Sequence, residues 1–294
     1  MKILLLGCNG QLGLSLADCT PSEHTVIGVD LPDLDITDAG AILELCKSTK
    51  PDVIVNVAAY TAVDQAEAEP EIATAVNVDG PRNIALAAQD VGARMIHIST
   101  DFVFEGTAST PYSSTASTHP LSVYGRTKRD GELAALEETG GSAVVIRTSW
   151  LYSKYGKNFV KTMLTLMSER DELSVVADQI GTPTWAGSLA DTVWRFVDAP
   201  DARGMFHWAD EGQASWHEFA LAIQDEALDL GILSKKIPVH AIGTDDYPTA
   251  ATRPHFSVLD TSGTCETLSV RPTEWRSNLR TMLADLLISQ RLER

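Results

Sequence analysis

The sequence predicts an α/β protein with a doubly wound parallel sheet and a second, smaller α/β lobe, and three observations support this prediction. Short β-branched runs alternate with segments of helical periodicity through the first half of the chain. Three glycines stand between the first apolar run and the first helical segment. The length of 294 residues suits one large α/β domain or two intimate domains.

The predicted strands are nearly continuous apolar runs, as expected for parallel strands that helices cover on both faces. They span 2–7, 25–30, 52–59, 94–100 and 142–148. The helical segments between them span 11–19, 38–49, 70–91 and 124–139. Right-handed connections would join the strands into one Rossmann-like sheet. After about residue 150 Pro and Gly interrupt the pattern, which indicates a smaller lobe that the chain enters and leaves more than once.

Composition argues against several kinds of partner and site. The formal net charge of −17 would repel a phosphate backbone, so we do not expect a nucleic acid partner. No apolar stretch approaches the roughly 18 residues that a membrane span needs, and the first run is too short and too broken by glycines for a signal peptide. Cys8, Cys19, Cys46 and Cys265 form no C-x-x-C pair and no cluster, which argues against zinc and disulfides. We therefore expect a reduced, cytoplasmic setting without a membrane partner.

The three glycines, Gly7, Gly10 and Gly13, form a G-x-x-G-x-x-G pattern. Gly7 would allow a tight turn after the strand, and Gly10 would let backbone N–H groups approach a pyrophosphate at the helix N-terminus. Gly13 would let the helix pack closely on the strand. A plain βα turn is the alternative, but the order strand, turn, helix favours dinucleotide binding.

Asp30 ends the second predicted strand, where an acidic side chain can accept hydrogen bonds from the adenosine ribose hydroxyls. A carboxylate there would repel a 2′-phosphate, and no Arg or Lys stands between Asp30 and Lys47 to compensate. This favours NADH over NADPH. The alternative is that Asp30 only forms a turn before Pro32.

A candidate catalytic group follows. Tyr124 and Lys128 are four residues apart and would lie on one helix face, where the Lys ammonium would lower the pKa of the Tyr phenol and could hold the nicotinamide ribose. Thr100 ends the fourth strand, where its hydroxyl could polarise a substrate carbonyl. Asp101 could bind a sugar hydroxyl or cap the next turn. The order of these residues predicts a reductase in which a nicotinamide delivers hydride to a carbonyl carbon and Tyr124 protonates the oxygen.

Two further segments have two possible interpretations. Residues 105–120 are rich in Ser, Thr and Pro, and they form either a surface loop or a flank of the active site. Their position just before Tyr124 favours the second interpretation. Residues 64–73 are acidic, and we predict a solvated helix face there.

The chain resembles the dTDP-4-dehydrorhamnose reductases, a family of extended short-chain dehydrogenases/reductases. The resemblance runs along nearly the whole chain in seven ordered blocks: GCNGQLG (7–13), DVIVNVAAYTAVDQAEAEP (52–70), STDFVFEG (99–106), VYGRTK (123–128), RTSWLYS (147–153), DQIGTPTWAGSLAD (178–191) and RPHFSVLDT (253–261). It implies reduction of the C4 carbonyl of dTDP-4-dehydro-L-rhamnose by NADPH or NADH, giving dTDP-L-rhamnose for cell-surface polysaccharide.

The resemblance also implies roles for individual residues. The residues expected to bind the cofactor are Gly10, Gln11 and Leu12 at the pyrophosphate, Asp30, Asp35 and Ile36 near the adenosine, and Ala59, Tyr60 and Thr61 further along. Those expected to bind substrate are Thr100 and Asp101 at the sugar, Trp150 packed against it, and Arg253 at the nucleotide-sugar end. Without the resemblance, Trp150 would be taken as a core residue, whereas Arg253 would be either a diphosphate partner or a surface residue.

The resemblance bears on assembly and domain organisation as well. Some family members form a homodimer bridged by a divalent metal through an acidic residue of the first helix, where this chain has Ser15, so we expect no such metal and no such form of dimer. We expect a dinucleotide-binding domain at 1–148, with segments returning to it at roughly 174–203 and 257–280. The substrate-binding lobe would then contain 149–173, 204–256 and the C-terminal end.

Two alternatives to this reductase remain open. One is a reductase or epimerase of another nucleotide sugar, and an epimerase would show no net consumption of NADH. The other is a non-catalytic regulatory subunit that binds a dinucleotide without oxidising it.

Overall fold

The computed structural model describes residues 1–292, in which strands and helices alternate through the first half of the chain. The strands are β1 (Lys2–Leu6), β2 (Thr25–Val29), β3 (Val53–Asn56), β4 (Arg94–Thr100), β5 (Val144–Thr148), β6 (Leu151–Tyr152), β7 (Leu173–Val176), β8 (Ile180–Gly181), β9 (Thr184–Trp185), β10 (Gly204–His207), β11 (Ala214–Ser215) and β12 (Val239–Ile242). The helices are α1 (Gln11–Asp18), α2 (Ala39–Thr49), α3 (Val63–Ala66), α4 (Pro70–Thr74), α5 (Gly80–Val91), α6 (Val123–Glu138), α7 (Phe159–Glu169), α8 (Ala186–Val197), α9 (Trp216–Asp229), α10 (Ser262–Leu268) and α11 (Trp275–Leu292).

Six parallel strands form the central sheet in the order β10-β5-β4-β3-β1-β2. Alternate side chains of each strand enter separate cores on the two faces of the sheet. On one face Ile3 and Leu5 pack with α1 and α8, and on the other Leu4 and Leu6 pack with α2, α5 and α6. Helices therefore cover both faces, and the predicted Rossmann-like doubly wound sheet is confirmed.

A third hydrophobic core lies in the second half of the chain. Its helices are α7, α9 and α11, and the parallel pair β7–β12 adds Leu173 and Val175. The remaining short strands pair as β6 with β9 and β8 with β11. This core forms the wall of the groove described below.

Several predicted boundaries differ from the structure. Strand β2 is an edge strand with half-exposed residues, so helices do not enclose it as expected. Strand β3 ends at Asn56 rather than at residue 59, because the Asn56 side chain accepts a hydrogen bond from the Ala58 N–H (3.1 Å) as the chain leaves the sheet. The predicted helix 70–91 is α4 and α5 joined by a π-helical turn at Ala75–Asp79, and Pro81, which has no N–H to donate, follows that turn.

The expected segments of the second lobe also need correction. Residues 204–207, expected in that lobe, form β10 and complete the central sheet beside β5. Of the segments expected to return to the first domain at roughly 174–203 and 257–280, α8 and α10 pack on the central sheet, whereas β7 and the start of α11 pack in the third core. The sequence pattern of β10 is weak because the strand has four residues, three of them only partly buried. Residues 293 and 294, at the C-terminal end assigned to the second lobe, lie outside the described residues.

Between residues 1 and 292 we find no helix that combines the length and the apolar character needed to cross a membrane.

Candidate active site

The glycine turn lies at the carboxyl edge of the sheet, where the strand order reverses between β1 and β3. Gly7 has a φ of +86°, and a Cβ there would lie 2.6 Å from the Ala58 nitrogen. A Cβ on Gly13 would lie 2.3 Å from the Gly7 carbonyl oxygen. Both glycines are therefore required by the packing of the turn itself.

Gly10 differs from its two neighbours. It is exposed, its φ of −76° is open to any residue, and a Cβ there would come no closer than 3.4 Å to the Gly7 carbonyl oxygen. The fold therefore does not require glycine at this position. Gly10 precedes α1, no side chain caps that helix, and the amides of Gln11, Leu12 and Gly13 lack the partners of helix-interior residues. An uncovered helix N-terminus behind a glycine fits a pyrophosphate group.

The residues expected near the adenosine occupy three different environments. Asp30 directly follows β2, and its carboxylate accepts hydrogen bonds from the backbone N–H groups of Asn9 (2.9 Å) and Leu31 (2.8 Å). The exposed Asp35 side chain accepts from the Thr37 N–H and hydroxyl. Ile36 is buried in the core under α5. Asp30 thus lies beside the glycine turn, whereas a role for Ile36 in cofactor binding is restricted to its backbone.

Asn77 fixes the segment after β3, which contains Ala59, Tyr60 and Thr61. Its side chain is buried, accepts a hydrogen bond from the Tyr60 N–H (2.9 Å) and donates to the Tyr60 carbonyl (3.0 Å). It also donates to the Thr127 hydroxyl (3.2 Å) on α6. One amide side chain therefore joins the predicted cofactor segment to the helix that carries Tyr124.

Helix α6 packs closely on two neighbouring segments because two of its glycines face them. A Cβ on Gly125 would lie 2.2 Å from the Phe102 carbonyl oxygen, and a Cβ on Gly131 would lie 2.0 Å from the Asn77 carbonyl oxygen. Ser122 caps the helix by accepting from the Gly125 N–H (3.1 Å). The helix thereby places the Tyr124 phenol beside the Thr100 side chain.

Thr100, Tyr124 and Lys128 are all buried at the carboxyl end of β4. The Thr100 hydroxyl accepts from the Phe102 N–H (3.2 Å) and donates to Asp101 Oδ1 (3.1 Å). Asp101 Oδ2 meets no donor at hydrogen-bonding geometry among residues 1–292. Thr100 therefore caps the turn that follows, and the Ser257 side chain lies beside the Asp101 carboxyl group.

The predicted lowering of the Tyr124 pKa is not observed. Burial raises the pKa of Tyr124 to about 12, the Asp101 charge adds to this rise, and the Thr100 side chain opposes it. The Lys128 ammonium instead donates to the Ile98 carbonyl (2.7 Å), and burial lowers the Lys128 pKa to about 8. Tyr124 consequently keeps its proton at neutral pH, as a proton donor must.

The acidic segment 64–73 is more than the solvated helix face that the sequence predicted. Glu67 accepts from the N–H of Val123 (2.7 Å), the first residue of α6, and Glu69 accepts from the Tyr60 hydroxyl (2.8 Å). Asp64 forms an ion pair with Arg253 (2.7 Å). Sequence reasoning missed these roles and that of Asn77, because each partner lies in a different element, from 9 to 189 positions away.

A groove of about 760 Å³ lies between α7, β7 and the segment that contains Arg253. Arg170, His240 and Arg253 line it together with apolar residues of α7. The Trp150 ring stacks on that of Trp216, with centroids 3.5 Å apart and planes inclined by 6°, and Trp216 lines the groove. Trp216 was not predicted from the sequence, and nothing in its local pattern distinguishes it from a core residue.

The loop at 105–120 is anchored rather than loose. The Tyr112 ring stacks on Phe104 at 4.1 Å, and its hydroxyl accepts from the N–H groups of Gly106 and Ala108. Tyr112 also forms a bridge with Leu259. The loop therefore connects the end of β4 to the segment that follows Arg253.

The first helix offers no metal ligand at the position where the resemblance led us to look. Ser15 is buried, and its hydroxyl donates to the Gln11 carbonyl (2.9 Å). Glu23, His24 and Asp198 bring ligand-type atoms within 4.8 Å of one another, but Glu23 and His24 precede the amino end of β2 and Asp198 follows α8, away from the glycine turn at the carboxyl edge of the sheet.

Comparison with known proteins reveals similarity along nearly the whole chain. A model of the RmlD substrate binding domain family matches residues 1–288. The dTDP-4-dehydrorhamnose reductase of Aggregatibacter actinomycetemcomitans is 41% identical over 290 residues, which cover 96% of this chain and 98% of that protein. The crystal structure of a dTDP-4-dehydrorhamnose reductase from Clostridium acetobutylicum has a TM-score of 0.91 and 39% identity, with 98% and 100% of the two chains covered. That of the Bacillus anthracis enzyme in complex with NADP has a TM-score of 0.92 and 36% identity, with 97% and 99% covered.

Proposed function

This chain belongs to the RmlD substrate binding domain family, and on that premise we propose that it reduces the C4 carbonyl of dTDP-4-dehydro-L-rhamnose to give dTDP-L-rhamnose. The observation that carries the proposal is the convergence of three buried side chains, Thr100, Tyr124 and Lys128, at the carboxyl end of β4. An uncovered helix N-terminus lies at the same edge of the sheet. A carbonyl reductase needs a proton donor, a group that polarises the carbonyl and a dinucleotide site in this proximity.

We propose that Tyr124 donates the proton to the carbonyl oxygen. Burial keeps its phenol protonated at neutral pH. The Thr100 hydroxyl has one hydrogen, which it donates to Asp101 Oδ1, and it would turn that hydrogen to the same carbonyl oxygen and stabilise the charge that develops there. The Lys128 ammonium uses one of its three donors on Ile98, so two remain for ribose hydroxyls. Asp101 would accept from a sugar hydroxyl through its buried Oδ2.

We propose that the dinucleotide binds across the glycine turn, and a bound NADH or NADPH would supply the hydride. Gly7, Gly10, Gln11, Leu12 and Gly13 would surround the pyrophosphate through backbone groups. The residues proposed for the remainder of the dinucleotide are Asp30, Asp35 and Ile36 at the adenosine, and Ala59, Tyr60, Thr61, Tyr124 and Lys128 toward the nicotinamide. The Asp30 carboxylate favours NADH, whereas a relative was crystallised with NADP, so both cofactors should be compared.

The groove is the proposed site of the substrate nucleotide. It adjoins the Trp150–Trp216 pair, against which the sugar would pack, and Arg253 would meet the diphosphate. In a chain with a net charge of −17, an anionic substrate has to be bound by such local cations.

We further propose that 1–148 binds the dinucleotide and that the second lobe binds the sugar nucleotide, with β10 belonging to the first unit. The four free cysteines suit a cytoplasmic enzyme. Any homodimer would form without a metal bridge at α1, because Ser15 is buried and its hydroxyl is bonded.

The test is oxidation of NADH and of NADPH by the purified protein, with dTDP-4-dehydro-L-rhamnose generated in situ. Tyr124→Phe should lower kcat by roughly 10²- to 10⁴-fold. Tyr152→Phe, which removes a buried hydroxyl in the third core, serves as the matched control and should stay within about threefold of wild type. A protein that binds cofactor and dTDP but never oxidises the cofactor would overturn the proposal in favour of a regulatory subunit or an epimerase.

A further inference from the structure

Asp64 and Arg253 are 189 positions apart in sequence, yet their ion pair joins helix α3 to the segment that lines the groove with Arg253. Arg253 Nη1 donates to Asp64 Oδ1 (3.1 Å), and Nη2 donates to Oδ2 (2.7 Å). Asp64 Oδ1 also accepts from the Ala251 N–H (3.0 Å). One carboxylate of the short helix α3 therefore holds both the side chain of Arg253 and the backbone that leads to it.

The hydrogen bonds of Arg253 leave a defined part of its guanidinium unused. The group has five N–H donors in a rigid plane. Asp64 takes the end-on pair of Nη1 and Nη2, and the Ala251 carbonyl takes the second hydrogen of Nη1 (3.1 Å). Among residues 1–292 the hydrogens on Nε and on the far side of Nη2 meet no acceptor, and they form the side-on edge. Such an edge matches two oxygens of a phosphate group.

The position of Arg253 indicates where that edge can act. Arg253 lines the groove, and about a quarter of its side chain is exposed. An arginine that served only to attract anions would do so best without an acidic partner, because Asp64 cancels its charge. The Asp64 carboxylate weakens the attraction of Arg253 for anions but fixes the orientation of its guanidinium group. Such an arrangement is useful where the geometry of binding matters more than the net charge.

We propose that Asp64 is a positioning residue, which holds Arg253 so that its Nε–Nη2 edge is ready to bind the diphosphate of the sugar nucleotide. The inference rests on the proposed function, because it takes the groove as the nucleotide site. Asp64 itself does not touch the substrate and acts only through Arg253. The hydrogen bond to Arg253 lowers the pKa of Asp64, which favours the ionised carboxylate that the ion pair requires.

The experiment compares the binding of dTDP, which carries the diphosphate, with that of thymidine, which does not. Dissociation constants would be measured by calorimetry for wild type, Asp64→Ala, Arg253→Ala and the double variant. Asp171→Ala is the matched control, since it removes an aspartate that pairs with Lys235 on the exposed surface. We expect Asp64→Ala to weaken dTDP about tenfold, leave thymidine within twofold, and raise KM about tenfold with kcat within threefold.

The double variant separates positioning from a general structural role. If Asp64 acts through Arg253, the double variant should bind dTDP as weakly as Arg253→Ala and no weaker. Three results would each overturn the inference: equal losses of affinity for dTDP and thymidine, additive losses in the double variant, or an unchanged dissociation constant for dTDP in Asp64→Ala. Turnover by the wild-type protein would show in each case that the proposed function still holds. A wild-type protein that binds no dTDP and shows no turnover would overturn both.

Discussion

Gly10 and Gly13 should respond to the same substitution in opposite ways. An alanine at Gly10 would place its methyl group no closer than 3.4 Å to the Gly7 carbonyl oxygen, in a backbone conformation that alanine adopts readily. An alanine at Gly13 would place the same methyl group 2.3 Å from that oxygen and 2.7 Å from Cys8. We therefore expect Gly10→Ala to impair cofactor binding and Gly13→Ala to impair folding.

The magnitudes of the two effects follow from these distances. At Gly10 the loss of a favourable N-cap residue and the lower entropy of the unfolded chain oppose each other, so the free energy of unfolding should change by at most about 1 kcal/mol. At Gly13 the overlap with backbone atoms should cost roughly 3 kcal/mol, or about 6–12 °C in Tm. One charge-assisted hydrogen bond lost at the pyrophosphate of Gly10→Ala would raise the Kd for NADH roughly 10- to 100-fold.

Two measurements on the purified variants would decide this. Scanning calorimetry gives the change in Tm, and titration of NADH fluorescence gives the Kd. The reasoning is refuted if Gly10→Ala binds NADH within threefold of wild type, because the pyrophosphate then does not lie over this turn. It also fails if Gly10→Ala loses as much stability as Gly13→Ala, since the structure leaves room only at Gly10.

Three further predictions concern acidic side chains that accept hydrogen bonds within the fold. Glu67→Ala should lower kcat several-fold with little change in the cofactor Kd, because Glu67 accepts a hydrogen bond from the Val123 N–H at the start of α6. Glu67→Gln keeps an acceptor and should retain most activity in the same steady-state assay. Glu132→Ala should cost roughly 3–5 kcal/mol, because it strands the buried guanidinium of Arg147, and thermal unfolding that shifts by less than about 2 °C would contradict this. Burial raises the Asp210 pKa to about 6, above its value in the unfolded chain, so wild type should lose about 2 kcal/mol of unfolding free energy relative to Asp210→Asn as the pH rises from 4 to 7. A difference in unfolding free energy between the two proteins that stays constant over this pH range would count against it.

The sequence predicts those parts of the fold that depend on local patterns. Strand β4 is found at the expected residues, and α1, α2 and α6 begin and end within one residue of the predicted bounds. Periodicity and glycine spacing define such elements because the apolar face and the turn lie within a few neighbouring residues. Strand β10 cannot be predicted in this way, because four residues with one buried side chain show no clear periodicity. Its place in the sheet is determined by its pairing with β5.

Some contacts of the candidate site also follow from local sequence patterns, and others do not. Thr100, Tyr124 and Lys128 could be predicted because a strand end and a helix spacing of four residues indicate which side chains meet. The contact between Glu67 and Val123 spans 56 positions and that between Asp64 and Arg253 spans 189 positions, so no local sequence pattern predicts either contact. The pKa of Tyr124 was predicted in the wrong direction, because the effect of burial depends on packing that appears only in three dimensions.

The late position of β10 has a consequence for how the nascent chain matures on the ribosome. Strand β5 ends at Thr148, and its outer neighbour begins only at Gly204, after β6–β9 and two helices have been made. At about 5–20 residues per second, the N–H and C=O groups along the open side of β5 wait on the order of several seconds for a partner. During that interval the incomplete sheet presents an unpaired edge that can pair with another nascent chain. We therefore expect chaperone demand during synthesis to be highest between the emergence of Thr148 and that of His207.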